Sequence, residues 1–600
     1  VPAQALEGSA SEDGKALVTP VVFDPEASAD DFEQALNEIT TIVNDQIGPI
    51  TEADLSDNSL HLRFTGPVGI QTDTISLFSN ADVTLLIATI FIVLILLVVL
   101  YRSPILAIVP LIAVSFAYGF VNPLLGTMAQ RGWIEVDAQA ISIMTVLLFG
   151  AGTDYCLFMI SRYRDELRVE ENKYIALRKA LRGTGGAIMI SALTTVTALL
   201  TLSLAYYASY DRFAVPFSLS IFVMGIAGLT LLPAMLSILG RFAFVPFIPR
   251  TEKMIQTLEE KKEKIIRRPA STGPVGRAFG KWATEKPWVV IILCVVVLGG
   301  LASFVTKAEY TYGLIDSFPE DMPSREGFSL ISEHFPPGEI APVQMIIQSE
   351  EDVSGLSAQL LELPIVEAVT EPETGSKDDT LQKLEVTFSI DPYSDEAIQS
   401  IPQLKEVSIN YLMDNGGNAA ENNVWIGGET ATLYDTEEIA KRDQSVIIPA
   451  VLIIIGLLLF IYLRSLVAMI YLLATVVLSY FAALGIGWLI IHHGFDVQAM
   501  QGLIPVYAFV FLVALGEDYN IFMASSIWKK YKEKPLKQAI REGVSETSGV
   551  IGSAGLILAA TFSVLAVMPM QVLVHFGIVT AIGILLDTFV VRPLLVPSIT

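Results

Sequence analysis

The sequence predicts a polytopic α-helical membrane protein, duplicated internally and carrying two α+β domains outside the bilayer. Three observations carry that expectation. Of 600 residues, 52% are hydrophobic and 17% charged, against about 25% charged in a soluble chain, and mean hydropathy is +0.56. Eleven apolar runs are long enough to cross a hydrocarbon core of ~30 Å, which takes about 20 helical residues. The chain also resembles itself at an offset of 362 to 364 residues.

The elements follow in order. Residues 1–80 read as a partial first extracytoplasmic domain with fourteen acidic and two basic residues. Within it LVTPVVF (17–23) and LHLRF (60–64) predict strands, and DDFEQALNEITTIVNDQ (30–46) an amphipathic helix. Residues 81–240 form a first helix bundle with spans at 82–101, 104–125, 139–161, 185–207 and 214–239. Residues 241–286 are a linker with eleven basic and five acidic residues, in which TEKMIQTLEEKKEKIIRR (251–268) predicts a solvated helix near anionic headgroups. Residues 287–307 hold the span (288–306) that opens the second copy.

Residues 308–443 are the second external domain, with twenty-eight acids and six bases; PVQMIIQ and LQKLEVTFSI predict strands. Residues 444–600 are the second bundle, with spans at 445–463, 466–491, 499–527, 549–568 and 574–598. Sidedness follows from Lys and Arg in short loops: residues 162–184 carry seven basic and four acidic groups, and 529–542 six and two, so these segments and the linker face the cytoplasm.

The repeat has clear register points. TGPVGIQTD (65–73) recurs as GGETATLYD (427–435), setting Gly66 on Gly428 and Asp73 on Asp435. Arg102-Ser103 falls on Arg464-Ser465, GAGTDYCLFM (150–159) on ALGEDYNIFM (514–523), and Pro233 on Pro597. Each copy is an external domain followed by five helices. The partner of the 288–306 span would precede Val1, so a first span is expected to be missing from a twelve-helix parent. The acidic opening stretch is not expected to act as a signal peptide.

The composition also excludes several classes. A net charge of -25 argues against nucleic acid as a partner. Cys156 and Cys294 lie in apolar runs and give no disulfide framework. No Walker A, G-x-S-x-G or metal-spaced Cys/His cluster occurs, so neither an enzyme nor a metal or organic cofactor is expected. His492 and His493, beside Asp496, read as a solvated external turn.

An ionisable side chain at bilayer depth costs about 2.5–3.5 kcal/mol on insertion scales and is a functional candidate by default. Asp154-Tyr155 and Asp518-Tyr519 place the same costly pair in equivalent spans. Withdrawal from water penalises a charged carboxylate, so each Asp is expected to exchange a proton near neutral pH. The neighbouring phenol can hydrogen-bond the partner carboxylate in either protonation state. Gly150, Ala151 and Gly152, with Ala514 and Gly516, are expected to let these two helices approach closely. A purely structural polar pair is the competing reading, which the duplication disfavours.

A second tier is less direct. Glu517 lies about 100° round the helix from Asp518 and is expected to face elsewhere. Asp587 and Arg592 are five residues apart, a poor helical pairing, and Arg592 is expected to snorkel toward the cytoplasm. Ser191, Thr194 and Thr195, with Ser553 and Thr561, could line a relay or simply bond their own backbones.

TGPVGIQTD, GAGTDYCLFMISRYRDEL, FPEDMPS with EHFPPGEIAPV (318–343), GEDYNIFM and DTFVVRPLLVPS together resemble the mycobacterial membrane protein large (MmpL) family of the resistance-nodulation-division superfamily, over essentially the whole chain. The resemblance implies porter-like external domains, a helix bundle in the cell membrane, and a proton relay at Asp154, Tyr155, Asp518 and Tyr519. It further implies a secondary active transporter that exports lipids or other hydrophobic or amphipathic molecules, with the proton as coupling ion. Na⁺ would want more oxygen ligands than the pairs supply. Expected partners are membrane lipids and an amphipathic substrate; nothing in the sequence sets monomer against homo-oligomer. The alternatives are a proton-driven secretion accessory factor acting on polypeptides, or an envelope scaffold without transport.

Overall fold

The structure, a computed structural model, describes the chain apart from residues 1–8, 12, 25–26, 52–54, 56–59, 263–273, 314–317, 320, 337–340, 416–422 and 496. In chain order the helices begin with α1 (Ala29–Gln46), α2 (Gly66–Tyr101), α3 (Pro104–Gln130) and α4 (Ala138–Val169). Then come α5 (Lys173–Leu200, prolonged by a 3-10 turn, Thr201–Leu204), α6 (Ala208–Leu229) and α7 (Leu231–Leu239). The linker holds α8 (Glu252–Lys262) and α9 (Pro274–Glu285). The second copy runs through α10 (Pro287–Ala302), α11 (Pro323–His334), α12 (Ser354–Leu360), α13 (Asp395–Asp414), α14 (Glu429–Leu463), α15 (Leu466–Gly494), α16 (Ile504–Tyr531), α17 (Leu536–Ser563) and α18 (Gln571–Leu586). A π-helix (Asp587–Leu595) and a last turn, α19 (Val596–Ile599), close it. Among the described residues, eleven helical segments are long and apolar enough to span a membrane, matching the expected number.

The repeat is visible in backbone conformation. Outside glycine, a positive φ is uncommon, yet Arg102 (φ 54°) and Arg464 (φ 53°) both adopt one, at equivalent positions. Each is followed by a serine that caps the next helix: Ser103 accepts from the Leu106 N–H and Ser465 from the Ala468 N–H. Gly66, the first residue of α2, and Gly428, just before α14, share a positive φ, where a side chain would be strained.

By contacts the chain forms two compact units, residues 78–311 with 442–600, and residues 1–77 with 312–441. In the first, the spanning helices pack around α4 and α16, whose apolar stretches are buried throughout. A helix apolar all round belongs in such a core. Tyr310–Thr311 (β1) pairs in parallel with Met500–Gln501 (β7), so the ninth span starts at Ile504 instead of residue 499.

The second unit holds both segments read above as external domains. Arg63 pairs with Glu326, Thr65 donates to the Ser324 carbonyl (2.8 Å), and Asp73 accepts from the Ser324 N–H (2.8 Å). Its antiparallel sheet has the order β3 (Val366–Val369), β5 (Leu381–Phe388), β2 (Val343–Gln348), β6 (Val424–Gly427), with β4 (Glu373–Thr374) against β5. Alternate residues Val343, Met345, Ile347, Leu384, Val386 and Phe388 are buried in one cluster with Ile401 and Leu404 of α13, as a period of two requires.

The helix expected at 30–46 forms as α1, capped by Ser28. The strands expected at 17–23 and 60–64 do not. Pro20 interrupts the first, which makes one isolated bridge, Ala10 with Leu17; proline removes a ladder donor. In the second, Arg63 spends its donors on Glu326 and the carbonyls of Ile50, Thr51 and Leu62. The linker helix stands as α8 over Glu252–Lys262; its basic end lies outside the described residues. Those residues also exclude Asp496 and parts of FPEDMPS and EHFPPGEIAPV.

Candidate functional site

The two central helices α4 and α16 each present an Asp-Tyr pair to a small internal cavity with room for about one water molecule. Asp154, Tyr155, Ser191, Asp518 and Tyr519 line it. Both carboxylates are 7% exposed and both tyrosines 2%. The expected meeting of the pairs is present, but it is not symmetric. The Tyr519 hydroxyl donates to Asp154. Asp518 instead accepts from Thr195 (3.2 and 3.3 Å) and Thr194 (3.4 Å) of α5.

The asymmetry has a cause in the sequence. At an offset of 364, Ser191, Thr194 and Thr195 correspond to Gly555, Leu558 and Ala559 of α17, so hydroxyls are available on one side alone. Ser553 is half-buried and donates to its own Gly549 carbonyl (2.9 Å), and Thr561 to Leu558 (2.7 Å). Neither lines the cavity.

The small residues do their packing elsewhere than expected. A Cβ on Gly150 would sit 2.6 Å from the Thr561 hydroxyl and 2.8 Å from Leu558, both on α17. One on Gly152 would meet Met224 of α6 at 3.0 Å, and one on Gly516 the Asp587 carboxylate at 3.0 Å. The glycines thus seat α4 and α16 against outer helices. Toward each other those two helices present bulk: Phe158 stacks on Phe522 with centroids 3.7 Å apart and planes 6° from parallel. The gap between the carboxylates is therefore propped by aromatic rings.

Arg592 does not snorkel. It is 2% exposed, donates to the Gly516 carbonyl (2.7 Å) and to Asp587 (3.1 Å), and lies over the Tyr519 ring, 4.2 Å from its centroid. In an α-helix, residues five apart diverge by about 140°. Here Asp587–Leu595 is a π-helix, whose i→i+5 repeat brings such residues onto one face. Pro593 was the available signal, since its missing N–H and ring break the α-helical ladder. The resulting chain runs Asp587, Arg592, Tyr519, Asp154.

Glu517 is fully buried and accepts from Asn520 (3.2 Å), away from the cavity lining. Asn520 was missed because an amide raises no cost signal comparable to a carboxylate. Glu517 Oε1, Asp154 Oδ1, and Nε and Nη1 of Arg592 are buried without a partner among the described residues. Such atoms are exceptions in a protein interior, where buried polar groups are ordinarily hydrogen-bonded. His492 sits at the end of α15, stacked on Trp488, with Nδ1 3.0 Å from the Val497 carbonyl.

Comparison with known proteins agrees with this architecture. The model of the MMPL family matches residues 2–272 and 316–600. The chain is 56% identical, over 100% of its length and 81% of the relative's, to the apo-petrobactin exporter of Bacillus anthracis. It is 33% identical to the putative membrane protein ActII-3 of Streptomyces coelicolor, covering 98% of this chain and 78% of that protein. Among solved structures, SecDF in its super-membrane-facing form aligns with a TM-score of 0.52 at 14% identity, over 88% of this chain and 62% of that chain. That likeness is one of fold.

Proposed function

The chain belongs to the MMPL family of multi-pass cell-membrane transporters, and from that premise we propose that it exports a small amphipathic molecule, driven by inward proton flow through Asp154 and Asp518. The observation that carries this reading is the convergence of both Asp-Tyr pairs on one buried cavity between the two copies, with Tyr519 donating to Asp154 and Thr195 to Asp518.

Each Asp is held by neutral donors. Ionised, it accepts those bonds; protonated, it relieves the cost of a buried charge and changes which packing of the two halves is preferred. Moving a switch from 1:99 to 99:1 takes about 5.5 kcal/mol. Two protons crossing 100 mV supply about 4.6 kcal/mol before any pH gradient is added, so a pair of carboxylates is commensurate with the task. Arg592 is the positioning group of this scheme: bound to Asp587, it sits on the ring whose hydroxyl holds Asp154.

The name of the 56% identical relative puts apo-petrobactin, or a molecule like it, first among cargoes, ahead of the lipids expected from the resemblance. A polypeptide client has only the SecDF-like fold behind it. The test is transport by purified protein in vesicles with an imposed proton gradient. Asp154→Asn and Asp518→Asn, which keep shape and remove titration, are each expected to lower gradient-driven apo-petrobactin movement at least about 10-fold. Intact gradient-dependent transport in either variant would end the proton-relay reading.

A further inference from the structure

Asp443 was not singled out by sequence, since it lies just before the predicted span at 445. It is fully buried, and its carboxylate accepts from the backbone N–H of Tyr206 (3.0 Å to each oxygen) and of Tyr207 (2.8 Å). Tyr207 is the N-cap of α6 and supplies no capping side chain of its own, so α14 provides the anion that the positive end of α6 wants. The adjacent Arg442 does the complementary thing. It donates to the Leu204 carbonyl (3.0 Å), at the end of the 3-10 turn that prolongs α5, and its guanidinium lies 3.6 Å from the Tyr206 ring centroid. It also bonds Asp443 (2.7 Å). One dipeptide therefore grips the negative end of α5 and the positive end of α6, each with the charge that end favours.

The gripped hairpin is the one that reports on the carboxylate centre. Helix α5 carries Thr194 and Thr195 on Asp518, nine residues before Leu204, or about 14 Å along a helix. A Cβ on Gly225 of α6 would lie 2.9 Å from that of Ala192 on α5, so the two helices cross too closely to slide independently. The gripping element, α14, is a single helix whose first part belongs to the other compact unit, which ends at Lys441. The first copy has no such dipeptide: the equivalent positions at an offset of 362 read Asn80-Ala81. The clasp, carried by the second copy, thus grips the first-copy hairpin that bears the hydroxyls facing Asp518.

We propose that Arg442 and Asp443 are positioning residues that pass the protonation state of Asp518, through the α5–α6 hairpin, to the helix leading out of the membrane. The proposal rests on the proton-relay reading. Its test uses the full chain in vesicles, with Asp518→Asn standing for the protonated state. Amide hydrogen exchange at Tyr206 and Tyr207 is expected to change at least about threefold between wild type and Asp518→Asn. That difference is expected to disappear in the Asp443→Ala background and to persist in Asp443→Asn, whose single carbonyl oxygen can still accept both bonds. In parallel, Asp443→Ala and Arg442→Ala are expected to lower apo-petrobactin moved per proton at least about 10-fold while protons still enter.

Exchange at these amides that ignores Asp518→Asn, or a wild-type cargo-to-proton ratio in both alanine variants, would overturn the clasp. An exchange change carried through Asp443 in a protein whose transport ignores the proton gradient would keep the clasp and sink the relay.

Discussion

At the scale of single residues, the membrane core is governed by how buried charges are matched. Asp587 and Arg592 are each 2% exposed, and removing one member of such a pair strands the other, at about 3–5 kcal/mol. Asp587→Ala is therefore expected to lower thermal stability by that order, while Asp587→Ala with Arg592→Met recovers most of the loss; equal melting temperatures for single and double variants would contradict the pairing. In the other unit, the Ser11 hydroxyl, the Lys15 N–H and His334 hold the Asp13 carboxyl down at about 2. A depressed carboxyl contributes stability above its unfolded value, about 3.9, and loses it as pH falls through about 2. The stability difference between wild type and Asp13→Asn is thus expected at pH 5, to be largely lost by about pH 2 and to vanish below it. The cost of an intramembrane charge made Asp154 and Asp518 legible in the sequence. Their partners were not, because Thr194, Thr195 and Ser553 look alike until helix rotation is known.

Among elements, length and apolarity located all eleven spans, and the repeat paired Arg102 with Arg464, which the structure shows sharing a positive φ. Close crossings were less readable. A Cβ on Gly485 of α15 would collide with the backbone carbonyl of Leu301 at the end of α10, which no flexible side chain can relieve. Gly485→Ala is expected to destabilise the protein by about 1–3 kcal/mol, the range for overpacking, measured by thermal unfolding in detergent; an unchanged midpoint would show that the α10–α15 crossing can loosen. The π-helix escaped because pairing rules for sequence assume 3.6 residues per turn, and Pro593 alters that local count. The two missing strands failed for a related reason: alternation describes a face, but a strand also needs a neighbour to bond.

For the molecule as a whole, the duplication matters most where it is broken. Two Asp-Tyr pairs recur, yet among the described residues threonine hydroxyls reach Asp518 and not Asp154, and the Arg442–Asp443 clasp grips the helix that bears them. Arg592 lies over the ring of Tyr519, the donor to Asp154. A symmetric pair would give a motor with no preferred half, whereas this arrangement assigns the halves different neighbours. The sequence by itself determined the membrane class, the number of spans, the repeat, the acidic polar segments and the identity of the two costly carboxylates. These depend on composition, on period and on the energy of taking charge out of water, all of which are local or additive along the chain. Tertiary structure alone decided which donor holds which carboxylate, that Arg592 turns inward, and that Asp443 caps a helix from another copy. Those facts depend on the rotation and register of helices hundreds of residues apart, which hydrophobic patterning leaves free in helices that are apolar on every face.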